Sequence, residues 1–309
     1  MVAKNKKLSV NIGGLKLDNP IMVASGTFGY GKEYEGLANL ADIGAIITKS
    51  ITLEPREGNK PPRIWETTAG MLNAIGLQND GVEDFIRNKI PYLKELGVPI
   101  IVSIAGTRKQ EYRELAKALD NTPVSGIEVN ISCPNVEHKS KGTKLFAQDE
   151  KETASIVRLV KRNTRKPIIA KLSPNVADIT EIAKSAERAG ADSLSLVNTL
   201  LGMAVDIDTN SPRLGNVAGG LSGPCIKPVA LRMVWEVYNS VKIPIIGIGG
   251  IMNAQDAIEF MLCGASAIQL GTANFVNPKV STEVLLGLEK YITKNKIKQI
   301  KDIVGTLKI

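Results

Sequence analysis

The sequence predicts an α/β fold of the (β/α)8 TIM-barrel class, and three observations carry that reading. Short β-branched runs recur eight times, helical stretches separate them, and most of the runs are apolar almost throughout. Strands covered on both faces are apolar in this way, whereas half-exposed antiparallel strands alternate. Regular alternation of strand and helix favours a parallel sheet, and eight units close one into a barrel. A doubly wound open sheet is the competing arrangement, and eight regular units count against it.

The opening "LSVNIGGLKLDNP" reads as a β-hairpin ahead of the barrel, plugging its bottom. Strands are expected at 21–26 ("IMVASG"), 44–50 ("GAIITKS"), 99–106 ("PIIVSIAG") and 126–132 ("GIEVNIS"). The second half continues with 167–173 ("PIIAKLS"), 193–199 ("SLSLVNT"), 243–250 ("IPIIGIGG") and 267–273 ("AIQLGTA"). Helices are expected at 32–41, 81–96, 108–120, 149–164, 176–189, 225–240, 253–263 and 280–293. "ADITEIAKSAERAG" shows the helical period and closes on Gly190, the residue type that ends helices in a left-handed turn. No linker or low-complexity stretch divides the chain, so residues 1–309 read as one domain.

Three strand-to-helix connections, 51–80, 133–148 and 200–224, are too long for simple turns. Long connections in a compact domain are usually functional, and in a barrel they stand on the C-terminal face. They are expected to form the walls and lid of a site there.

Composition narrows the partners. The net charge is +8, but the basic residues are dispersed and aromatics make up only 4% of the chain. A nucleic-acid surface interleaves the two, so the charge reads as solvated faces and a field that draws small anions. No apolar run reaches the roughly 18 residues that span a bilayer, and "MVAKNKKLSV" carries no apolar targeting core. The three cysteines, Cys133, Cys225 and Cys263, lie far apart, and His138 is the one histidine. With no CxxC or HxxxH spacing, neither a metal site nor a disulfide framework is expected, and the location reads as cytoplasmic.

The chemistry gathers at strand ends. "GIGG" (247–250) and "LGTA" (270–273) end the seventh and eighth strands, where glycines let backbone N–H groups approach a phosphate. Lys171 lies inside "IIAKLSP", and a buried ammonium needs an anion or acceptor beside it. Lys49 ends "IITKS". Carboxamides recur at Asn73, Asn130, Asn135 and Asn198, offering the donors and acceptors that a flat ring with alternating N–H and C=O groups would use. Together these suggest a phosphorylated cofactor beside a small polar substrate. A phosphate-binding lyase or isomerase without flavin, and a basic barrel for nucleic acid, are the other classes the residues leave open.

Six motifs in order, "ASGTFGYG", "ITKSITLEPREGN", "NAIGLQN", "NISCPN", "GLSGPCIKPVALR" and "IPIIGIGGI", resemble those of class 1 dihydroorotate dehydrogenases. The resemblance runs from the hairpin to the last barrel helix. "NAIGLQN" and "AGGLSGP" favour class 1B, the NAD-linked type, over the fumarate-using class 1A. It implies oxidation of (S)-dihydroorotate to orotate in pyrimidine (UMP) biosynthesis, on one FMN per chain.

The resemblance implies that Ser25, Lys49, Ser50, Asn130, Lys171, Val197, Gly223, Gly249, Gly250, Gly271 and Thr272 line FMN, the last four around its phosphate. Lys49, Asn73, Ala74, Ile75, Gly76, Leu77, Asn130, Asn135, Asn198 and Thr199 would hold the substrate. Cys133 would be the general base, taking a proton from C5 while hydride leaves C6; its thiol needs tuning or acts through a minor thiolate. Cys225 and Cys263 read as buried, inert thiols. Ser103 stands where class 1B members have asparagine, as in class 1A, and could still donate to a flavin carbonyl.

Class 1B enzymes pass electrons to NAD+ through a second subunit carrying FAD and a 2Fe–2S cluster. This chain has no cysteine cluster for iron–sulfur ligation and no strand-linked GxGxxG, so that machinery is expected on another polypeptide. A catalytic homodimer flanked by two such subunits, a heterotetramer, is the implied assembly.

Overall fold

The computed structural model describes residues 5–131 and 146–309. Eight parallel strands close into a barrel: Ile21–Val23, Ala45–Ile47, Ile100–Ile104, Gly126–Asn130, Ile168–Lys171, Ser193–Leu196, Ile245–Ile248 and Ala265–Leu270. They are neighbours in chain order, the eighth pairing back to the first through Ile268 and Ile21. Ile21, Ile46, Ile101, Ile127, Ile169, Ile246 and Ile268 are fully buried. Each such side chain contributes about 1.5–3 kcal/mol through burial.

The hairpin forms as expected, Val10–Ile12 pairing antiparallel with Leu15–Leu17. Its buried residues alternate with exposed Asn11 and Lys16, the period-two pattern of a half-covered ribbon. Leu15 packs against Gly126, where the fourth strand begins, so the apolar face seals the N-terminal end of the barrel.

Most outer helices match their expected places: Lys109–Asp120, Glu150–Lys161, Ile179–Arg188, Lys227–Tyr238, Ala254–Leu262 and Val280–Lys294. Asp149, Asp178 and Asn253 cap three of them, each side chain accepting a backbone N–H of the first turn. The expected helix at 32–41 is absent. Two 3-10 turns, Lys32–Tyr34 and Leu40–Asp42, replace it, because Gly36 sits between them at φ 76° and interrupts the helical backbone. The helix expected at 81–96 is present but widens to a π segment over Phe85–Lys89. Pro91 lacks the N–H that an α-helix would give to Arg87, and Ile90 donates instead to Phe85. A short helix not anticipated, Ala273–Val276, follows the eighth strand.

The long connections after the second and sixth strands do more than form separate walls. They supply Ile64–Thr67 and Gly70–Asn73, and Leu200–Met203 and Ala218–Ser222, to one antiparallel four-stranded sheet on the C-terminal face. Asn73 pairs with Gly220 and Leu72 with Leu221 across the join.

Candidate active site

Polar side chains from three strands meet at the mouth. Ser50 Oγ shares a 2.8 Å hydrogen bond with Ser103 Oγ and accepts from Asn130 Nδ2 at 3.0 Å. All three residues are buried, and buried polar groups persist when they satisfy one another. Ser103 therefore reaches the site through Ser50. The Asn130 carbonyl accepts the Tyr112 hydroxyl at 3.0 Å, which fixes the end of the fourth strand.

Lys49 is half-buried, its Nζ 3.4 Å from Gln78 Oε1. Burial pulls its ammonium below the ordinary lysine range; Asp80 and Glu33 oppose the shift and Arg63 adds to it. Lys171 is buried and donates to Ser25 Oγ at 3.0 Å, with Glu128 Oε1 at 3.5 Å. The acceptor a buried lysine requires thus includes a carboxylate from inside the barrel. Glu128 escaped sequence reasoning, although one charged residue within the apolar run "GIEVN" was its signal.

The segment 74–77 is clamped from behind. Asn59 donates from its backbone to the Ile75 carbonyl at 3.0 Å and from Nδ2 to the Ala74 carbonyl at 3.1 Å. Asn79 Nδ2 donates to the Leu77 carbonyl at 2.7 Å and to Thr52 Oγ1 at 2.8 Å, and Oδ1 accepts from Thr52 and Gly81 N–H. These bonds hold Leu77 at φ 58° and leave Gly76 buried against Asn59. Asn73 Nδ2 donates to the Gly220 carbonyl at 3.2 Å, so this segment and the opposite wall are joined at a residue expected to touch substrate.

Val197, Asn198 and Thr199 follow the sixth strand. Val197 N–H donates to the Ile248 carbonyl and Asn198 N–H to the Leu172 carbonyl, joining the fifth, sixth and seventh strand ends. Thr199 N–H donates to Asn198 Oδ1 at 2.8 Å. Asn175, another residue missed in the sequence, donates to the Thr199 carbonyl and accepts from Leu201 N–H, both at 2.9 Å.

Beside them lies a glycine-built cradle. Gly249 and Gly250 take φ of 124° and 74° after the seventh strand, and Gly271 and Thr272 follow the eighth. A Cβ on Gly250 would come within 2.9 Å of the Gly223 carbonyl and Lys227 N, whereas one on Gly271 would meet nothing closer than 3.8 Å. Among the described residues, the N–H groups of Gly249, Gly250, Gly271 and Thr272 donate to no other backbone carbonyl. Unpaired amides at neighbouring strand ends are the kind of donor set a phosphate monoester uses. Thr272 Oγ1 donates to Ser222 Oγ at 2.8 Å, tying the cradle to the wall sheet next to Gly223.

Cys133 and Asn135 lie outside the described residues. Cys225 is exposed, not the buried thiol expected, because it follows Pro224 in a surface 3-10 turn. Cys263 is half-buried, and burial aided by Glu259 pushes its thiol up. Among the described residues no cluster of three or more His, Cys, Asp or Glu side chains could hold a metal, and no helix is long and apolar enough to cross a membrane.

Residues 7–292 match the family profile of dihydroorotate dehydrogenase. The chain is 55% identical to the catalytic subunit of dihydroorotate dehydrogenase B (NAD(+)) of Geotalea daltonii, over 98% of each chain. It is 54% identical to the protein of that name from Geobacter metallireducens, over 99% of this chain and 100% of the relative. The corresponding Desulforamulus reducens protein is 54% identical over 96% and 97%. With a closed barrel and a match along nearly its whole length, the chain belongs to the dihydroorotate dehydrogenase family.

Proposed function

We propose that this chain is the catalytic subunit of an NAD+-linked dihydroorotate dehydrogenase, oxidising (S)-dihydroorotate to orotate on FMN in pyrimidine biosynthesis. The observation that carries the reading is the juxtaposition of the glycine cradle at 249–250 and 271–272 with the Lys171–Ser25 pair and the Ser50–Asn130 pair in one barrel mouth. Relatives named as the catalytic subunit of the NAD(+) enzyme along nearly the whole chain support the choice of acceptor.

The residues present fit FMN. Gly249, Gly250, Gly271 and Thr272 offer amides that are unpaired among the described residues for its phosphate, and Lys171 offers a positive charge for the polar edge of its ring. Bound FMN supplies the two-electron acceptor for the hydride that leaves C6 of the substrate. The chain's own residues do the rest. Lys49 and the amides of Asn73, Asn130 and Asn198, with Asn135 outside the described residues, bind and orient the anionic ring. Cys133, also outside the described residues, takes the C5 proton, so loss of one proton and one hydride leaves the C5=C6 double bond of orotate. Oriented backbone amides and packed side chains supply this positioning before substrate arrives.

A homodimer flanked by two subunits carrying FAD and a 2Fe–2S cluster completes the proposed route to NAD+. Anaerobic titration of the yellow protein with dihydroorotate tests the assignment: stoichiometric bleaching is expected, and an unbleached flavin would sink it. Recovery of colour with NAD+ plus the partner, and not with fumarate, separates the class 1B reading from class 1A, which Ser103 alone would favour.

A further inference from the structure

Barrel interiors are normally filled by layers of branched apolar side chains. Here one layer is polar. Glu128 from the fourth strand, Ser195 from the sixth and Gln269 from the eighth are each fully buried. Glu128 Oε2 accepts from Ser195 Oγ at 3.0 Å and from Gln269 Nε2 at 3.0 Å, while Oε1 faces Lys171 Nζ at 3.5 Å. Each of these three neighbours is a donor. Lys171 in turn reaches Ser25 at the mouth, so a continuous chain of polar contacts runs from the barrel interior to the rim.

Stability does not explain the layer. Removing two charges from water costs more than an apolar pair of the same volume, which often packs as well or better. Gln269 adds to the cost: its Oε1 is buried without a partner among the described residues while its amide serves the carboxylate. Three strands thus contribute groups whose shared feature is that they fix one negative charge behind Lys171.

We propose that Glu128 is a positioning residue that anchors the Lys171 ammonium and partly cancels its field, lowering the reduction potential of the bound flavin. The proposal rests on the reading that Lys171 stands beside the flavin's polar edge. The sign follows from charge. Reduction places negative charge near Lys171, so the ammonium favours the reduced state and the carboxylate behind it disfavours that state. Electrons are then held loosely enough to be handed on. Glu128 acts through Lys171 alone.

The test is the two-electron midpoint potential of FMN-loaded protein, read by equilibration with a reference dye, together with the FMN dissociation constant of the apoprotein. Glu128→Gln is expected to shift the reduction equilibrium at least tenfold toward reduced flavin, a rise of about 30 mV. Lys171→Met is expected to shift it the other way. A merely structural role would weaken FMN binding in both variants without moving the potentials in opposite directions, and that result overturns the proposal. If Glu128→Gln does not fold, Glu128→Asp draws the charge back by one methylene and is expected to raise the potential; an unchanged or lower value there also overturns it. An unmoved potential in Lys171→Met would instead refute the flavin placement, and the proposal with it. A lowered potential in Lys171→Met beside an unmoved one in Glu128→Gln refutes the role of Glu128 alone.

Discussion

Asn130 Nδ2 donates to Ser50 Oγ across 3.0 Å, joining the ends of the fourth and second barrel strands inside the mouth. Asn130→Ala removes that donor and leaves Ser50 bonded to Ser103. The expected cost is about 1–2 kcal/mol of stability and at least about tenfold in orotate affinity. Denaturant unfolding and orotate titration of the flavin spectrum check the two halves separately.

Gly250→Ala should act on the cofactor. Its φ of 74° and the 2.9 Å approach to the Gly223 carbonyl and Lys227 N leave no room for a methyl group. The left-handed backbone alone costs a non-glycine residue about 1–2 kcal/mol, and relieving the crowding would move the cradle amides. Protein purified from this variant is expected to carry less FMN and to rebind it at least about tenfold more weakly. Full occupancy would separate Gly250 from the phosphate site.

Lys49 sets a pH dependence. An ordinary lysine keeps its charge to a pH of about 10.4, and burial holds this one lower. Affinity for the anionic ring should therefore start to fall at a lower pH than an ordinary lysine would dictate, as the ammonium loses its proton. A bound anion pulls the other way, so binding on the alkaline side takes up a proton. In Lys49→Arg the guanidinium stays charged and the alkaline fall should flatten; an identical slope in both proteins would remove Lys49 from anion binding.

Asn79 carries no substrate contact in the expected set, yet four hydrogen bonds converge on its side chain. Asn79→Ala leaves the Thr52 and Gly81 N–H groups and the Leu77 carbonyl without their partner, at about 3 kcal/mol. A lower melting temperature and a KM that rises more than kcat falls are the expected signature of a loosened 74–77 segment. Equal losses in kcat and kcat/KM would place the effect on the chemistry instead.

Cys133→Ala is expected to keep FMN and lose most flavin reduction by dihydroorotate at neutral pH, with orotate binding retained. Stopped-flow reduction under anaerobic conditions reads this directly. Reduction at the normal rate would assign the proton to another group.

What could be read from the residues followed from locality. Continuous runs such as "GAIITKS" and "IPIIGIGG" placed all eight barrel strands, because strand burial on both faces is written in consecutive residues. The first outer helix failed for the same reason, since Gly36 inside an otherwise plausible segment outweighs its neighbours. Asn59, Asn79 and Asn175 were invisible as clamps because their partners are set by loop pairing rather than by spacing. Lys171 was legible as a buried charge in need of an acceptor, and Glu128 lay in plain sight on the neighbouring strand.

The wall sheet has a consequence for how the protein is made. Residues 64–73 leave the ribosome long before 200–222, so the first pair of strands waits for its partners with Ile64 and Trp65 on an outer strand. Non-local pairing of this kind is slow, because the intervening chain must be ordered before the contact forms. Barrel strands one to five can assemble on local contacts in the meantime. The eighth strand, Ala265–Leu270, emerges later still, so the barrel closes onto its first strand only after every wall strand has been made, and until 218–222 arrives the open edge of Gly70–Asn73 is where chaperones or stray strands would find it.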